Sequence, residues 1–455
     1  MSKTCEIKIK KGLNLKLKGE APLQQLEISL EQGNKYALIP EDFHGVKPKM
    51  LVQIGSKVQI GDPVFCNKLF PEMLFVAPIS GEIIDIKRGE KRKIISIEIK
   101  ADSEPSSRTF TPLTDTATPD QIKSRLLESG MWAFIRQRPY DRIASPDLPP
   151  RDIFVTANFT APLAPNFDFL LALGDNKKYF SKALQSLTKL TKGRVFLNVA
   201  KPLGLNIPNV EEIVLRGLHP AGLVGTLINK VSPLNQGEVV WTLNATDLFI
   251  IGHLLDQNKV DFHRHIVVAG PYAEKKGYLK ILPGSVLTEE NQNQLAANTE
   301  KHLRFIAGDV FTGKKLDDAR PFLPMDINQL TIIREGDDVV EPFGWIMPRF
   351  NQYSMSRSYF SWLLPGKKYD LDSRLKGGQR AMINSGEFTK VFPLDIMPEQ
   401  LLKATIAFNI DKMEELGIYE VAPEDFALCE FVDSSKQPLQ QIVRQALDNL
   451  YKEMN

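Results

Sequence analysis

The chain has 455 residues, of which 43% are hydrophobic and 25% are charged, and its formal net charge is +2. This length predicts about three globular domains of about 150 residues each, and the near-neutral charge argues against a dedicated nucleic-acid-binding protein. Three cysteines without metal-ligand or disulfide spacing fit a reducing compartment, and the lack of a leader or a long apolar run predicts a soluble chain or a soluble subunit.

The chain opens with a segment in which charged and apolar residues alternate. Its lysines are Lys8, Lys10, Lys11, Lys16 and Lys18, and its apolar residues are Ile7, Ile9, Leu15 and Leu17. On a strand this alternation places the lysines on the solvated face and the apolar residues on the packed face. The pattern therefore predicts a half-buried strand and not a binding site for polyanions.

A half-barrel pattern follows between Pro48 and Ile99. Short apolar strands are separated by Gly55, Gly61 and Gly81, where we expect turns with positive φ. The pattern resembles a biotinyl/lipoyl-type domain, but the hairpin tip around Lys68 lacks the methionines that flank a carrier lysine. A modified carrier lysine is one interpretation, and a docking or scaffold role is the interpretation that we favour.

The middle of the chain alternates strands and helices. Residues 101–118 read as a linker, and Thr118 with Gln121 predicts a capping box that opens a helix ending near Gly130. Strands are predicted at Ile153–Ala157, Phe169–Leu173, Val195–Val199, Ile213–Leu215 and Val239–Leu243, with a helix at Lys177–Leu190. This alternation predicts a parallel α/β sheet.

The pattern changes after Phe262. Strands at His263–Ala269, Tyr278–Leu282, Leu303–Ala307 and Leu330–Arg334 surround a helix at Glu289–Thr299, which predicts a small α+β unit. Helices are then predicted at Glu399–Ala407, Asp411–Leu416 and Leu439–Lys452, the last with an apolar stripe. His263 and His265 would share a strand face, but no further ligand completes a zinc site, so we expect no metal.

Two segments are candidates for ligand or partner contact. The glycine-rich loop Gly217–Thr226 contains His219 and Gly222; either it approaches a ligand closely or its glycines serve tight turns. The stretch Phe343–Trp362 is rich in aromatic residues and arginine, which suits an interface or a quinone ring, but an ordinary core is the interpretation that we favour. No Walker loop, dinucleotide fingerprint or nucleophile elbow occurs.

Taken together, these motifs resemble the A subunits of sodium-translocating NADH:quinone oxidoreductases. The segments that carry the resemblance are Pro48–Val52, Ala77–Gly81, His219–Leu223, Arg380–Met382, Phe392–Ile396 and Ala427–Cys429. The resemblance implies a multidomain α/β plus α+β protein. Its domains would be a barrel-sandwich hybrid at 1–105, a Rossmann-like domain at 106–256, a β-grasp ligand-binding-like domain at 257–340 and a helical pseudo-ferredoxin tail at 341–455.

The resemblance extends to the C subunit of the ion-pumping ferredoxin:NAD oxidoreductase, which carries two iron–sulfur clusters. Its cysteine spacing falls here on Met382, Ser385, Phe388 and Phe392, and a second time on Pro423, Phe426, Cys429 and Asp433. One cysteine cannot hold a cluster. The resemblance implies that Gly130–Pro139 replaces a flavin-binding loop of relatives, although Arg136 and Arg138 leave an anion site open. It also implies that Leu227 and Asn229 stand where relatives have histidines. We therefore expect no cofactor in this chain.

The resemblance implies a peripheral subunit on the cytoplasmic face of a bacterial inner membrane, in a complex that oxidises NADH, reduces quinone and exports Na⁺. FAD, FMN, riboflavin and iron–sulfur centres would belong to partner subunits, chiefly the membrane subunit with covalent flavin. We expect no catalytic residue in this chain, no transmembrane segment and no nucleic-acid partner. The residues predicted to contact quinone or a partner are His219, Gly222, Trp345, Arg349, Tyr353 and Phe360. The alternative is a stand-alone soluble oxidoreductase that binds flavin or nucleotide.

Overall fold

The computed structural model describes residues 5–28, 30, 34–114, 116–339, 343, 347 and 349–454. Its strands are β1 (Cys5–Lys8), β2 (Lys35–Leu38), β3 (Pro48–Met50), β4 (Lys57–Val58), β5 (Pro63–Asn67), β6 (Leu74–Val76), β7 (Gly81–Arg88), β8 (Ile94–Ala101), β9 (Arg136–Arg138), β10 (Arg142–Ile143), β11 (Ile153–Thr156), β12 (Val195–Val199), β13 (Val210–Arg216), β14 (Val240–Asn244), β15 (Arg264–Ala269), β16 (Gly277–Ile281), β17 (Leu303–Ala307), β18 (Lys314–Leu316) and β19 (Gln329–Arg334). Its helices are α1 (Pro119–Glu128), α2 (Phe167–Leu171), α3 (Asn176–Leu187), α4 (Val224–Val231), α5 (Asp247–Gln257), α6 (Glu289–Leu295), α7 (Phe388–Val391), α8 (Pro398–Ile406), α9 (Ile410–Glu415), α10 (Ala427–Val432) and α11 (Leu439–Met454).

The half-barrel consists of two small antiparallel sheets, β2-β8-β7-β4 and β3-β5-β6. Their shared core contains the stacked rings of Phe65 and Phe75. Gly55 and Gly61 adopt the positive φ that the sequence predicts. Gly81 does not, so that expectation was wrong: a Cβ on Gly81 would lie 2.0 Å from the Lys100 carbonyl oxygen, and glycine is needed there for close strand approach.

A seven-stranded sheet, β1-β13-β12-β11-β14-β9-β10, forms the centre of the molecule. The first five strands in this order are parallel, and β9 and β10 are antiparallel additions. Residues of β11 and β12 are buried on both faces, because α3 and α5 pack on one face and α4 on the other. The predicted strands at the positions of β11, β12, β13 and β14 are confirmed.

Three helices in this region differ from the sequence prediction. Phe169–Leu173 was predicted as a strand, but α2 covers most of it, because the Asn166 side chain accepts a hydrogen bond from the Phe169 N–H and caps a helix. Short apolar runs of this kind fit either element. Helices α4 and α5 were not predicted. The predicted α1 is confirmed, and Thr118 and Gln121 form its capping box.

The third region is a five-stranded mixed sheet in the order β16-β15-β19-β17-β18. Its two central strands β15 and β19 run parallel, and the neighbouring pairs are antiparallel. Helix α6 lies between β16 and β17 in the sequence and ends at Leu295, four residues before the predicted end. The four predicted strands of this region are confirmed.

The carboxyl-terminal region is helical, as predicted, from α7 to α11. Its core contains Phe388, Phe392, Phe426 and Cys429, four of the eight residues that stand at the cysteine positions of the ferredoxin pattern. The apolar stripe of α11 packs into the same core through Leu439, Val443, Ala446, Leu447 and Leu450. No helix in the described part of the chain is long and apolar enough to cross a membrane.

Residues 5–26, which we name the N-terminal strip, join three of these regions. Strand β1 pairs with β13 in the central sheet, Leu17 forms a bridge with Tyr369, and Gln25 forms a bridge with Tyr278 on β16. Leu13, Leu15 and Leu17 enter the core of the carboxyl-terminal helices. The predicted alternation is confirmed, since the five lysines are exposed while Ile9, Leu15 and Leu17 are buried. The strip is not the single strand that the pattern predicted.

Candidate functional site

A cavity of about 500 Å³ opens at the carboxyl ends of β11 and β14. From β11 the chain steps outward to β12 and β13, and it then returns to place β14 on the other side of β11. Where the connections from two neighbouring strands run in opposite directions, a crevice forms at the strand ends. Ligands of α/β proteins bind in this crevice. Its walls come from the strand ends, the 219–224 loop, the 307–314 and 324–329 segments and the carboxyl-terminal helices.

His219 lies in the wall of this cavity and is 4% exposed. Its ring stacks on Phe311 with 5.5 Å between centroids, and its Nδ1 lies 3.2 Å from Thr160 Oγ1. Burial lowers the pKa of His219 to about 4, against the opposing effect of Asp309. The imidazole is therefore neutral at physiological pH.

Thr160 contacts His219 through its hydroxyl group. Thr160 Oγ1 accepts a hydrogen bond from the Gly222 N–H at 2.9 Å, and it keeps both a hydrogen to donate to His219 Nδ1 and a second lone pair to accept from it. The other ring nitrogen, Nε2, is buried and has no hydrogen-bond partner among the described residues. The site thus contains a neutral imidazole whose Nε2 is unsatisfied.

Gly222 brings the His219 loop against the end of β11. A Cβ at this position would lie 2.0 Å from the Asn158 carbonyl oxygen, and the Gly222 carbonyl accepts a hydrogen bond from Thr156 Oγ1 at 2.6 Å. Gly222 does not have a positive φ. Close approach of two backbone segments, rather than a tight turn, therefore requires glycine here.

Carboxylates predominate in the cavity wall. They are Glu41, Asp42, Asp141, Asp247, Asp309, Asp326 and Glu424, against the cationic Arg136, Lys314 and Arg444. Burial raises the pKa of Asp247 to about 6, although its ion pair with Arg264 at 2.9 Å opposes the shift. Burial and the neighbouring Asp425 raise the pKa of Glu424 to about 7. A ligand with several negative charges would meet repulsion here.

Arg136 and Arg138, predicted as an open anion site, are committed to internal ion pairs. Arg138 is fully buried and binds Asp425 at 3.1 Å and Glu424 at 3.4 Å. Arg136 lies 3.8 Å from Asp141, which Arg444 of α11 approaches to 3.3 Å. We name these six residues the ionic joint, because they connect the central sheet to the carboxyl-terminal helices.

The segment Gly130–Pro139, for which the resemblance implied the loss of a flavin-binding loop, is filled with side chains. Met131, Trp132 and Phe134 are buried, and Trp132 packs edge-on against Trp241 with 5.1 Å between centroids. The Trp132 indole N–H donates to the Ala144 carbonyl at 2.8 Å. Asn229 of α4 donates to Glu420 at 2.6 Å. Both segments are therefore occupied by internal contacts.

The predicted contact residues fall into two groups. His219 and Gly222 line the cavity, and Tyr353 is connected to His219 by ring contacts through Phe311 and Phe431. Phe360 stacks on Phe350 at the surface and does not line the cavity. Arg349 is half-buried and also lies outside the cavity wall. Trp345 lies outside the described residues.

Sequence reasoning did not identify Thr160, Asp247 or Glu424 as part of the site. Thr160 and Asp247 follow the ends of β11 and β14, so strand ends in a predicted parallel sheet were the available signal. No comparable signal marked Glu424.

His263 binds Asp261 at 2.6 Å, and no group of metal-ligating side chains occurs in the described ranges.

The fold defines the class of this protein: a multidomain α/β chain in which two small antiparallel sheets precede a parallel-sheet domain. The family model of the NqrA N-terminal barrel-sandwich hybrid domain matches residues 7–102, and that of the NqrA second alpha/beta domain matches residues 117–260. The chain belongs to the family of A subunits of Na(+)-translocating NADH-quinone reductases.

Two relatives show how far the similarity extends. The A subunit of the Na(+)-translocating NADH-quinone reductase of Rhodopirellula baltica is 34% identical over 454 residues, which cover 98% of each chain. The corresponding A subunit of Saccharophagus degradans is 35% identical over 460 residues, which cover 98% of this chain and 100% of the relative. A solved NAD⁺-reducing [NiFe]-hydrogenase shares 12% identity over 49% of each chain with a TM-score of 0.35.

Proposed function

We propose that this chain is the peripheral A subunit of a complex that oxidises NADH, reduces quinone and exports Na⁺ at the cytoplasmic face of a bacterial inner membrane. The observation that carries the proposal is similarity to such subunits along 98% of the chain. The chain would dock on the membrane subunit with covalent flavin. FAD, FMN, riboflavin and iron–sulfur centres would reside in partner subunits.

The parts of the fold agree with the domains that the resemblance implies. The central sheet has Rossmann-like connections, and the order β16-β15-β19-β17-β18 with its parallel central pair supports a β-grasp-like domain. We retain domain boundaries at residues 105, 256 and 340. The N-terminal strip belongs to the first domain by sequence, but it also contacts regions outside that domain. The packed core around Phe392 and Cys429 supports a pseudo-ferredoxin related to the C subunit of the ferredoxin:NAD oxidoreductase.

We further propose that the cavity contacts the quinone. With its hydrogen on Nε2, the neutral His219 ring would donate to a carbonyl oxygen of the quinone, and the excess of carboxylates in the cavity wall favours an uncharged ligand. The alternative, a stand-alone flavin or nucleotide enzyme, has in its favour only the position of the cavity at strand ends. The phosphates of such ligands would face Asp141, Asp247 and Asp309.

Affinity purification tests the subunit role. A tag on this chain is used to recover protein from detergent-solubilised membranes, and absorption spectra are recorded for the free and the assembled chain. We expect the free chain to be colourless and to recover a flavin-containing membrane complex. A free chain that is itself yellow, and that recovers no partner, would contradict the proposal and favour the stand-alone enzyme.

Two substitutions of His219 test the quinone contact in the purified complex. A glutamine amide can replace the Nε2 donor, whereas the shorter asparagine cannot reach that position. We expect His219→Asn to raise the KM for quinone about fivefold and His219→Gln to restore it, with NADH oxidation by an artificial acceptor unchanged. The matched control is His302→Gln at an exposed site. An unchanged KM in His219→Asn would place the quinone elsewhere.

A further inference from the structure

A group of large apolar side chains lies exposed after the fifth strand of the mixed sheet. Phe350, Trp362 and Leu363 are each 52% exposed, and Phe360 is 40% exposed. Together with Arg357 and Lys367 they form what we name the aromatic-basic surface. An exposed cluster of this kind marks an interaction site more often than an ordinary surface. The exposure of these side chains contradicts the sequence-based prediction that this stretch packs in an ordinary core.

Contacts among these side chains show that they share one surface. Phe350 stacks on Phe360 with 5.4 Å between centroids, and the Arg357 guanidinium lies 5.5 Å from the centroid of Trp362. Lys367 Nζ donates to the Phe350 carbonyl at 3.0 Å and to Asn351 at 2.9 Å. Trp362 and Leu363 belong to the 3₁₀ helix that begins at Phe360.

The surface is attached firmly to the protein behind it. Tyr369 is buried, and its backbone N–H and carbonyl bond the N-terminal strip at Lys16 and Lys18. Tyr353 packs edge-on against Tyr369 and reaches the carboxyl-terminal core through Phe431. The exposed rings are thus presented on a segment that is fixed at both ends, and their exposure does not result from a detached loop.

The charge of this segment is strongly positive. Residues 349–380 contain seven lysines and arginines and two aspartates, whereas the whole chain has a net charge of only +2. The rest of the chain is therefore negative. Arg357 and Lys367 form no ion pair with a carboxylate in the described ranges. Unpaired cations beside exposed aromatic rings complement an anionic surface.

We propose that the aromatic-basic surface binds the headgroup region of an anionic lipid bilayer. Tryptophan and phenylalanine side chains enter the boundary between headgroups and acyl chains, and nearby lysines and arginines are attracted to anionic lipids. The proposal goes beyond the proposed function, because it makes the bilayer itself a partner of this chain. It is independent of the quinone contact, since it requires neither the cavity nor His219.

Vesicle flotation of the purified full-length chain tests this proposal. The probes are vesicles of phosphatidylcholine alone and of phosphatidylcholine with about 30% phosphatidylglycerol, at about 0.05 M and about 0.5 M NaCl. We expect binding to the anionic vesicles at low salt and little binding in the other conditions. Arg357→Glu should weaken the binding at least about fivefold, because it replaces an attracted cation by a repelled anion. Trp362→Ser with Leu363→Ser should weaken it about tenfold.

Matched controls alter other exposed positions by the same chemistry. Lys177→Glu reverses a charge on α3, and Leu148→Ser removes an apolar side chain that is 45% exposed. Neither should change vesicle binding by more than about twofold. The proposal is overturned if the wild-type chain does not float with anionic vesicles, or if the controls reduce binding as much as the variants. It is also overturned if the variants bind vesicles normally but detach from the membrane subunit, which would make the surface a protein contact.

Discussion

Two stacked pairs of phenylalanines in this protein have opposite surroundings. Phe65 and Phe75 stack at 4.5 Å between centroids inside the half-barrel, where both are essentially inaccessible. Phe350 and Phe360 stack at 5.4 Å on the aromatic-basic surface, where about half of each side chain is exposed. Ring stacking alone therefore does not indicate a core. The first pair stabilises the fold, and the second pair offers apolar area to a partner.

Two arginines repeat the same contrast. Arg138 is fully buried and its charge is balanced by Asp425 and Glu424 in the ionic joint. Arg357 is exposed and lies over the ring of Trp362. Removing a buried partner leaves an uncompensated charge in the interior, whereas removing a surface cation leaves only a solvated side chain. We therefore expect substitutions of Arg138 and Arg357 to change the free energy of unfolding by amounts that differ by several kcal/mol.

The largest effect is expected for Phe75→Ala. This substitution leaves a cavity in the half-barrel core, and we expect the free energy of unfolding to fall by about 4 kcal/mol. Denaturant titration followed by circular dichroism and by tryptophan fluorescence measures the loss. A loss below about 1 kcal/mol would show that the core relaxes around the missing ring, and the contrast with the surface pair would fail.

The second effect is expected for Arg138→Met. It removes the cation that faces the buried Asp425, and we expect the free energy of unfolding to fall by about 3 kcal/mol at pH 8. Burial already raises the pKa of Asp425, so protonation at pH 5 should recover part of this loss. Arg357→Met serves as the control and should be close to neutral at both pH values. Equal losses at the two pH values would argue against an uncompensated carboxylate.

A smaller effect is expected for Glu424→Gln. The pKa of Glu424 is about 7 in the folded protein against an ordinary value of 4.5, so the folded state holds a proton that the unfolded chain releases. The carboxyl group therefore costs stability as the pH rises from about 4.5 through 7. Its side chain is 39% exposed, and solvent screening reduces the expected gain to about 1 kcal/mol at pH 8, with none at pH 4. Unfolding curves at the two pH values measure this gain, with Glu72→Gln as the control. A gain that is absent, or that is equal at both pH values, would contradict the prediction.

The smallest effect is expected for Phe350→Ala. Because this ring is 52% exposed, its removal should change the free energy of unfolding by no more than about 0.5 kcal/mol. The measurement is the same denaturant titration as for Phe75→Ala, which makes the two pairs directly comparable. A loss above about 2 kcal/mol would mean that the exposed pair supports the fold after all.

Most of the fold could be predicted from local patterns. The capping box of Thr118 and Gln121 and the apolar stripe of α11 both mark helices that the structure contains. Helix α5 was missed because its residues are buried on more than one side, and α4 was missed because it has only eight residues, of which the first five are all buried. The strand predicted at Phe169–Leu173 failed because apolar runs do not distinguish strands from short helices.

The candidate site was only partly visible in the sequence. The loop of His219 and Gly222 was recognised by its glycines, and the structure places both residues in the cavity wall. Other residues of the cavity wall lie far along the chain: Thr160 follows β11 and contacts His219, and Glu424 belongs to the carboxyl-terminal region. The strand end was the only signal for Thr160. Glu424 had none, because only the three-dimensional arrangement brings it to the cavity.

The N-terminal strip determines when the protein completes its structure during synthesis. These residues leave the ribosome before their partners, which include His219, Tyr278 and Tyr369. The half-barrel can fold while later segments are still being translated, since domains generally fold as units from the amino-terminal end. Until the chain has been translated beyond Phe388, however, Leu15 and Leu17 have no helical core to enter. Final assembly of this protein is therefore a late event. A chain whose translation stops early would leave Leu15 and Leu17 of the N-terminal strip exposed.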